Sequence, residues 1–245
     1  RAVGRIAAER RRPAPAAHPG STAPSTELVP VVRVVPADRL REIRRRRDRE
    51  APGRSVSTAL LDATVAALRE RDVVVDRIAV PVDLRRYLRG DRGVAGNLVS
   101  SVALPGDAAT PSGDLRAALD DGLPLLQFLL TNARWRVRAA LGAVPGTPGE
   151  AVPTLGWADR GHDPGWESLP WADGPRTVVA GAVPRGARRV TVYLTRIGGA
   201  LHLTALVDAA TTDPAAVAAA LDAALDRLAP SPDGRDDDPV EAPVA

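Results

Sequence analysis

The sequence predicts an α/β protein, a mixed β-sheet covered by helices, and three observations carry that prediction. First, Val190, Val192 and Leu194 alternate with Arg189, Thr191, Tyr193 and Thr195. After Gly198-Gly199 the alternation resumes, with Leu201, Leu203, Ala205 and Val207 on one face and His202, Thr204 and Leu206 on the other. Two period-two runs joined by a Gly-Gly pair make a β-hairpin. Second, Val56, Leu60, Leu61, Val65 and Leu68 recur at helical spacing, so a helix there buries one face. Third, Asp213-Pro214 opens a closing helix, with Val217, Leu221, Ala224, Leu225 and Leu228 as its buried face. The full order reads strand, helix, helix, strand, strand, helices, hairpin, helix, the pattern of a sheet with helices packed on it.

The chain has 245 residues, enough for one large domain or two small ones. Hydrophobic residues make up 44% but aromatics only 3%, so the core rests on Ala, Val and Leu. All 33 basic residues are arginine, and the net charge is only +3, so the chain is not a polycation. With no cysteine, disulfides and thiolate metal sites are excluded. With no methionine, and Arg1 at its start, the chain is expected to be a processed, trimmed or fragmentary product. No stretch reaches the length of a membrane span and no secretory pattern opens the chain, which predicts a cytoplasmic protein.

Residues 1–26 combine Arg10-Arg11-Arg12 with a Pro-, Ala- and Ser-rich run and are expected to be a disordered basic arm. No aromatic residues interleave with its arginines, so it offers no base-stacking platform and no nucleic-acid partner is expected. Glu27–Val35 reads as a strand ended by Pro36, followed by a helix over about Ala37–Arg49. The Arg44–Arg47 run on that helix reads as a solvated face, with an acidic partner as the alternative. Ser55 or Ser57 caps the next helix. Val73–Val82 is strand-like with a turn at Asp76-Arg77, and Leu98–Leu104 is a second strand ended by Pro105-Gly106. Pro111–Leu141 is helical and divided near Gly122 and Pro124, with Asp114 favourably placed in its first turn. Residues 142–186 lack a clear period and read as a long irregular segment with one or two short strands. From Ser231 the tail is acidic and Pro-rich, and the boundaries expected are an arm (1–26), a body (27–229) and a disordered tail (230–245).

Chemistry-bearing residues are sparse. Of three histidines, His18 lies in the arm, His162 in the turn-like Gly161-His162-Asp163-Pro164-Gly165, and His202 on a sheet face. None forms a metal-binding pair, no Gly-x-Ser-x-Gly elbow is present, and the glycines around Gly90–Gly96 do not have nucleotide-loop spacing. What remains is Ile78-Ala79-Val80-Pro81-Val82-Asp83-Leu84-Arg85, a strand ending in a charged corner, and Gly96-Asn97 some residues later. An Arg at a buried strand end needs an acidic partner. Asp83 and Arg85 could equally pair with neighbours at the domain surface.

The order of a small-start, Ala- and Leu-rich helix at Ser57–Arg71, Val80-Pro81-Val82-Asp83-Leu84-Arg85, Gly96-Asn97 and the strand Leu98-Val99-Ser100-Ser101-Val102-Ala103-Leu104-Pro105 resembles the condensation / chloramphenicol-acetyltransferase-like (CAT-like) superfamily. Condensation domains, polyketide-associated acyltransferases and wax ester synthase/diacylglycerol acyltransferases belong to it. The closing hairpin and helix, Ala187–Leu228, resemble the C-terminal end of the same superfamily. The resemblance implies one half of a CAT-like two-half fold, roughly Glu27 to Leu228. It also implies transfer of an acyl group from a thioester, coenzyme A or carrier protein, to an alcohol or amine, with no tightly bound cofactor.

In that superfamily a His-His-x-x-x-Asp-Gly motif in the N-terminal half supplies the catalytic base, and this sequence has no match to it. No catalytic residue is therefore expected in this chain. Arg85 matches the residue that salt-bridges the motif's Asp, Asp83 is expected to be structural, and Gly96 and Asn97 match positions lining the substrate channel. The segment 155–175, with Trp157, Trp166 and Trp171, falls where the superfamily crosses between halves and lacks the plant-type Asp-Phe-Gly-Trp-Gly motif. The implied partners are the N-terminal half of the same enzyme and an acyl carrier protein. A non-catalytic docking module on the same half-fold, or an unrelated α/β domain, stay open as alternatives.

Overall fold

The computed structural model describes residues 27–88, 98–140, 152–162, 164–171, 176–181 and 189–230. The arm, Gly96, Asn97 and the tail beyond Pro230 lie outside them. Six strands form one mixed sheet: β1 (Leu28–Val35), β2 (Arg77–Asp83), β3 (Val99–Pro105), β4 (Thr154–His162), β5 (Arg189–Ile197) and β6 (Ala200–Asp208). Their spatial order is β1-β6-β5-β4-β2-β3. The three inner pairs run antiparallel (β6/β5), parallel (β5/β4) and parallel (β4/β2), and β1 and β3 add antiparallel at the two edges.

The register explains the core. Val31 opposes Ala205, which opposes Val192, which opposes Trp157; Leu155 opposes Ile78, which opposes Leu104. All of these are buried on one face of the sheet. Helices α1 (Ala37–Glu50), α2 (Val56–Arg69), α3 (Pro111–Asp120) and α6 (Pro214–Leu228) bury their apolar stripes in the same cluster, as does Leu123 at the start of α4 (Leu123–Ala140). Helix α2 lies directly against α6. Ser55 caps α2 by accepting the Thr58 N–H at 3.0 Å, and Asp213 caps α6 by accepting the Ala215 N–H at 2.9 Å. Ser57, the other candidate cap, is instead buried and accepts the Trp157 indole N–H at 3.1 Å, which ties α2 to the sheet.

The opposite face over β5 and β6 is covered by a smaller cluster. Val178, Ala180 and Ile197 pack there with Tyr193, Trp166 and Trp171, Trp166 sitting on the one-turn helix α5 (Pro164–Glu167). Ion pairs tie α6 to its neighbours: the Arg33 guanidinium on β1 forks onto both Asp222 oxygens at 2.6 and 2.8 Å, and Arg39 on α1 reaches Asp226 at 2.6 Å.

Two expectations change. The segment 142–186 contributes a nine-residue strand, β4, in the middle of the sheet, not only short irregular pieces. Its sequence, Thr-Leu-Gly-Trp-Ala-Asp-Arg-Gly-His, places only Leu155 and Trp157 inward, and its hydrogen bonds come from parallel neighbours on both sides. His162 ends that strand opposite Arg196 rather than sitting in the turn. His202 lies on the sheet face as expected, and it is 1% exposed because the 176–181 segment covers it. No helix among the described residues is long and apolar enough to cross a membrane.

Candidate functional site

Strand β2 leads into the corner that the sequence singled out. Pro81 sits opposite Ser101 in a position where the β2–β3 ladder requires no N–H from it, since Leu84 donates to Leu98 at 2.7 Å and Gly106 to Asp76 at 2.9 Å. On its other side, β4 pairs with β2 only over Arg77–Ala79. Pro81 is thus tolerated inside a central strand because both neighbours leave its nitrogen unclaimed.

At Asp83 the chain turns into a single 3-10 turn, Leu84–Tyr87. Asp83 makes the turn: its carboxylate accepts the Arg85 N–H at 2.9 Å and the Arg85 guanidinium at 3.0 Å. The Arg85 N–H, seconded by the guanidinium, holds the Asp83 carboxyl below the ordinary carboxylate range. Leu84 is buried and anchors the turn from beneath. Tyr87 donates its hydroxyl to the Leu119 carbonyl at 2.9 Å and so fixes the turn to the end of α3; burial pushes the Tyr87 phenol up. Arg86 lies over the Tyr87 ring, 5.6 Å from its centre.

The structure therefore brings Asp83 and Arg85 together as a local pair, with the Arg85 side chain still 35% exposed. Ion pairing at that exposure contributes little stability, so the pair shapes the corner more than it holds the fold. Gly96 and Asn97 lie outside the described residues. Among the described residues no group of three or more His, Asp or Glu side chains could hold a metal ion. His162 is exposed and 4.0 Å from Glu167; His202 is buried on the sheet's other face, so neither adjoins the corner. No pairing among these residues amounts to a nucleophile with its base.

One feature beside the corner escaped the sequence reading. Helix α4 lies against both β3 and the 84–87 turn. Between α4 and β3 runs a groove of about 440 Å³ lined by Val99, Ser100, Ser101, Phe128, Thr131 and Arg134, with Gln127 at its wall. Its apolar residues were legible in the sequence, but their helical period gave no sign that they stay uncovered.

No family model matches the sequence, and no curated protein is significantly similar to it. Solved structures do share the fold. The condensation domain that performs chain release from the enacyloxin polyketide synthase superimposes with a TM-score of 0.54 at 20% identity over 94% of this chain and 44% of that one. TRI3 trichothecene 15-O-acetyltransferase from Fusarium sporotrichioides gives 0.54 at 21% identity over 85% and 48%. VibH, a peptide-synthetase condensation enzyme, gives 0.51 at 14% identity over 87% and 49%. The chain thus spans under half the length of each of these proteins, and its six-stranded sheet with one helical layer is one half of the condensation, CAT-like fold.

Proposed function

We propose that the chain is the C-terminal half of an acyltransferase. It works with a complementary half that supplies the catalytic histidine, and together they move an acyl group from a thioester to an alcohol or amine. The donor is coenzyme A or an acyl carrier protein, no tightly bound cofactor takes part, and the site of action is the cytoplasm. The observation that carries this reading is Arg85: a partly exposed guanidinium on a braced corner at the end of a sheet strand, on a half-length version of an acyl-transfer fold. In the resemblance drawn from the sequence, that arginine holds the aspartate of the catalytic loop. Asp83 sets the backbone of the corner and orients Arg85, while Gly96 and Asn97 line the channel between the halves.

Affinity capture of the chain from its own cells, with thiol release from acetyl-, octanoyl- and palmitoyl-coenzyme A as readout, tests the reading. The isolated chain is expected to leave the thioesters intact. A captured complex containing a His-His-x-x-x-Asp-Gly polypeptide is expected to release thiol in an acceptor-dependent way. In that complex Arg85→Leu is expected to lower kcat at least tenfold with KM little changed, as fits a positioning residue. Turnover by the chain alone, or full activity of the Arg85→Leu complex, defeats the reading.

A further inference from the structure

Helix α4 is anomalous. Residues 129–137 are all exposed, although they include Leu129, Leu130, Trp135 and Val137. Helices in proteins owe most of their stability to a packed apolar face, and this half of α4 has none. Those four, with Val99 on β3 and Leu88 at the end of the 84–87 turn, are six of the nine large apolar side chains exposed among the described residues. Scattered exposed apolar residues are ordinary, but a concentration on one element marks an interface.

The groove beside α4 has a second unusual wall. Among the described residues β3 is the sheet's outer strand, and its 99–105 run carries no charge. The register directs the backbone groups of Ser100, Val102 and Leu104 to β2, so those of Val99, Ser101 and Ala103 face the open edge. Proteins normally blunt such an edge with charge, proline or a bulge, and within Val99–Leu104 β3 has none of these. Across the groove the Gln127 side-chain oxygen is buried without a hydrogen-bond donor. An uncharged strand edge and an unsatisfied acceptor on the same groove suit one more extended backbone.

We propose that the α4–β3 groove receives an extended segment of the complementary half-domain, which adds to β3 as a seventh strand. Its backbone pairs with Val99, Ser101 and Ala103, and one of its N–H groups satisfies Gln127. This rests on the half-enzyme reading above and names the surface through which the halves join. Charge narrows the occupant further. Helix α4 exposes Arg134 and Arg136 and carries no acidic residue. A second copy of this chain, paired face to face, brings those cations together. A segment alternating apolar and acidic residues meets both the apolar surface and the cations.

Fluorescence anisotropy with labelled nonapeptides on the full chain tests this. The peptide of alternating valine and glutamate is expected to bind saturably. The valine–lysine counterpart, and the valine–glutamate peptide N-methylated on its pairing edge, are each expected to bind at least tenfold more weakly. Ser101→Pro removes only the outward N–H of β3, leaves the ladder to β2 intact, and is expected to weaken binding at least tenfold with an unchanged circular dichroism spectrum; Gln127→Leu is expected to weaken it several-fold. Absence of binding by the acidic peptide, or equal binding of the N-methylated one, overturns the proposal. So does a Ser101-dependent doubling of mass in sedimentation, which makes a second copy the occupant. Peptide binding needs no thioester turnover, so its failure and that of the acyltransferase reading are separable.

Discussion

At the scale of single residues, the buried polar groups decide most. The Trp157 indole N–H donates to Ser57 in the core. Ser57→Ala strands that donor away from water, and an unsatisfied buried donor costs about 1–3 kcal/mol. Urea unfolding is expected to show that loss, and the double variant Ser57→Ala with Trp157→Phe is expected to lose less than the sum of the single changes. His202 is the second case. Its Nδ1 accepts the Val178 N–H at 3.5 Å, so the neutral ring carries its proton on Nε2, a buried atom with no partner. Burial holds the His202 pKa below the ordinary histidine value. The unfolded chain thus takes up the proton first as pH falls. The stability linked to His202 is complete above the unfolded-state pKa and is lost as pH drops through that value toward the folded one. The slope is at most about 1.4 kcal/mol per pH unit. Urea midpoints measured from pH 8 to 5 are expected to fall more steeply for the natural chain than for His202→Leu.

At the scale of elements, the β5–β6 hairpin shows local sequence and tertiary packing agreeing. Gly198 and Gly199 both have positive φ, +57° and +78°, the pair of left-handed residues that a two-residue hairpin turn of the favoured twist requires. Gly198→Val forces a β-branched residue into that region and is expected to cost about 1–2 kcal/mol, with Gly198→Asn costing less. Thermal midpoints of the two variants check the order. Strand β4 shows the opposite relation. Gly156 faces Thr191 so closely that a Cβ there would come within 2.9 Å of the threonine methyl. The glycine that weakens the strand signal in sequence is what lets β4 lie beside β5, and strand propensity here is set by neighbours rather than by β4 itself.

At the scale of the whole molecule, one apolar cluster runs from β1 through β3 and takes in helices from both ends of the described chain. Helices α2 and α6, far apart in sequence, share it. Leu221→Ala, at a fully buried position of α6, is expected to cost about 2–5 kcal/mol. Because the core is shared, tryptophan fluorescence and circular dichroism are expected to report the same shifted midpoint; separate transitions would show two independently folding parts. The uncovered face of α4 sets the other whole-molecule property, an apolar surface left exposed beside the β3 edge of the described sheet.

Local rules determined much of this from the sequence alone. The main helices, a serine cap at Ser55 or Ser57, the Asp213 cap, the Gly-Gly hairpin and the Asp83–Arg85 corner all rest on interactions within a few residues, which residue type and spacing encode directly. Tertiary structure alone decided the central place of β4, the burial of His202 and the partnership of Ser57 with Trp157, because each depends on which distant segment comes to lie alongside. It also decided that α4 carries Leu129, Leu130 and Trp135 into the open. Periodicity tells which face of a helix is apolar; only the packed fold tells whether anything covers it.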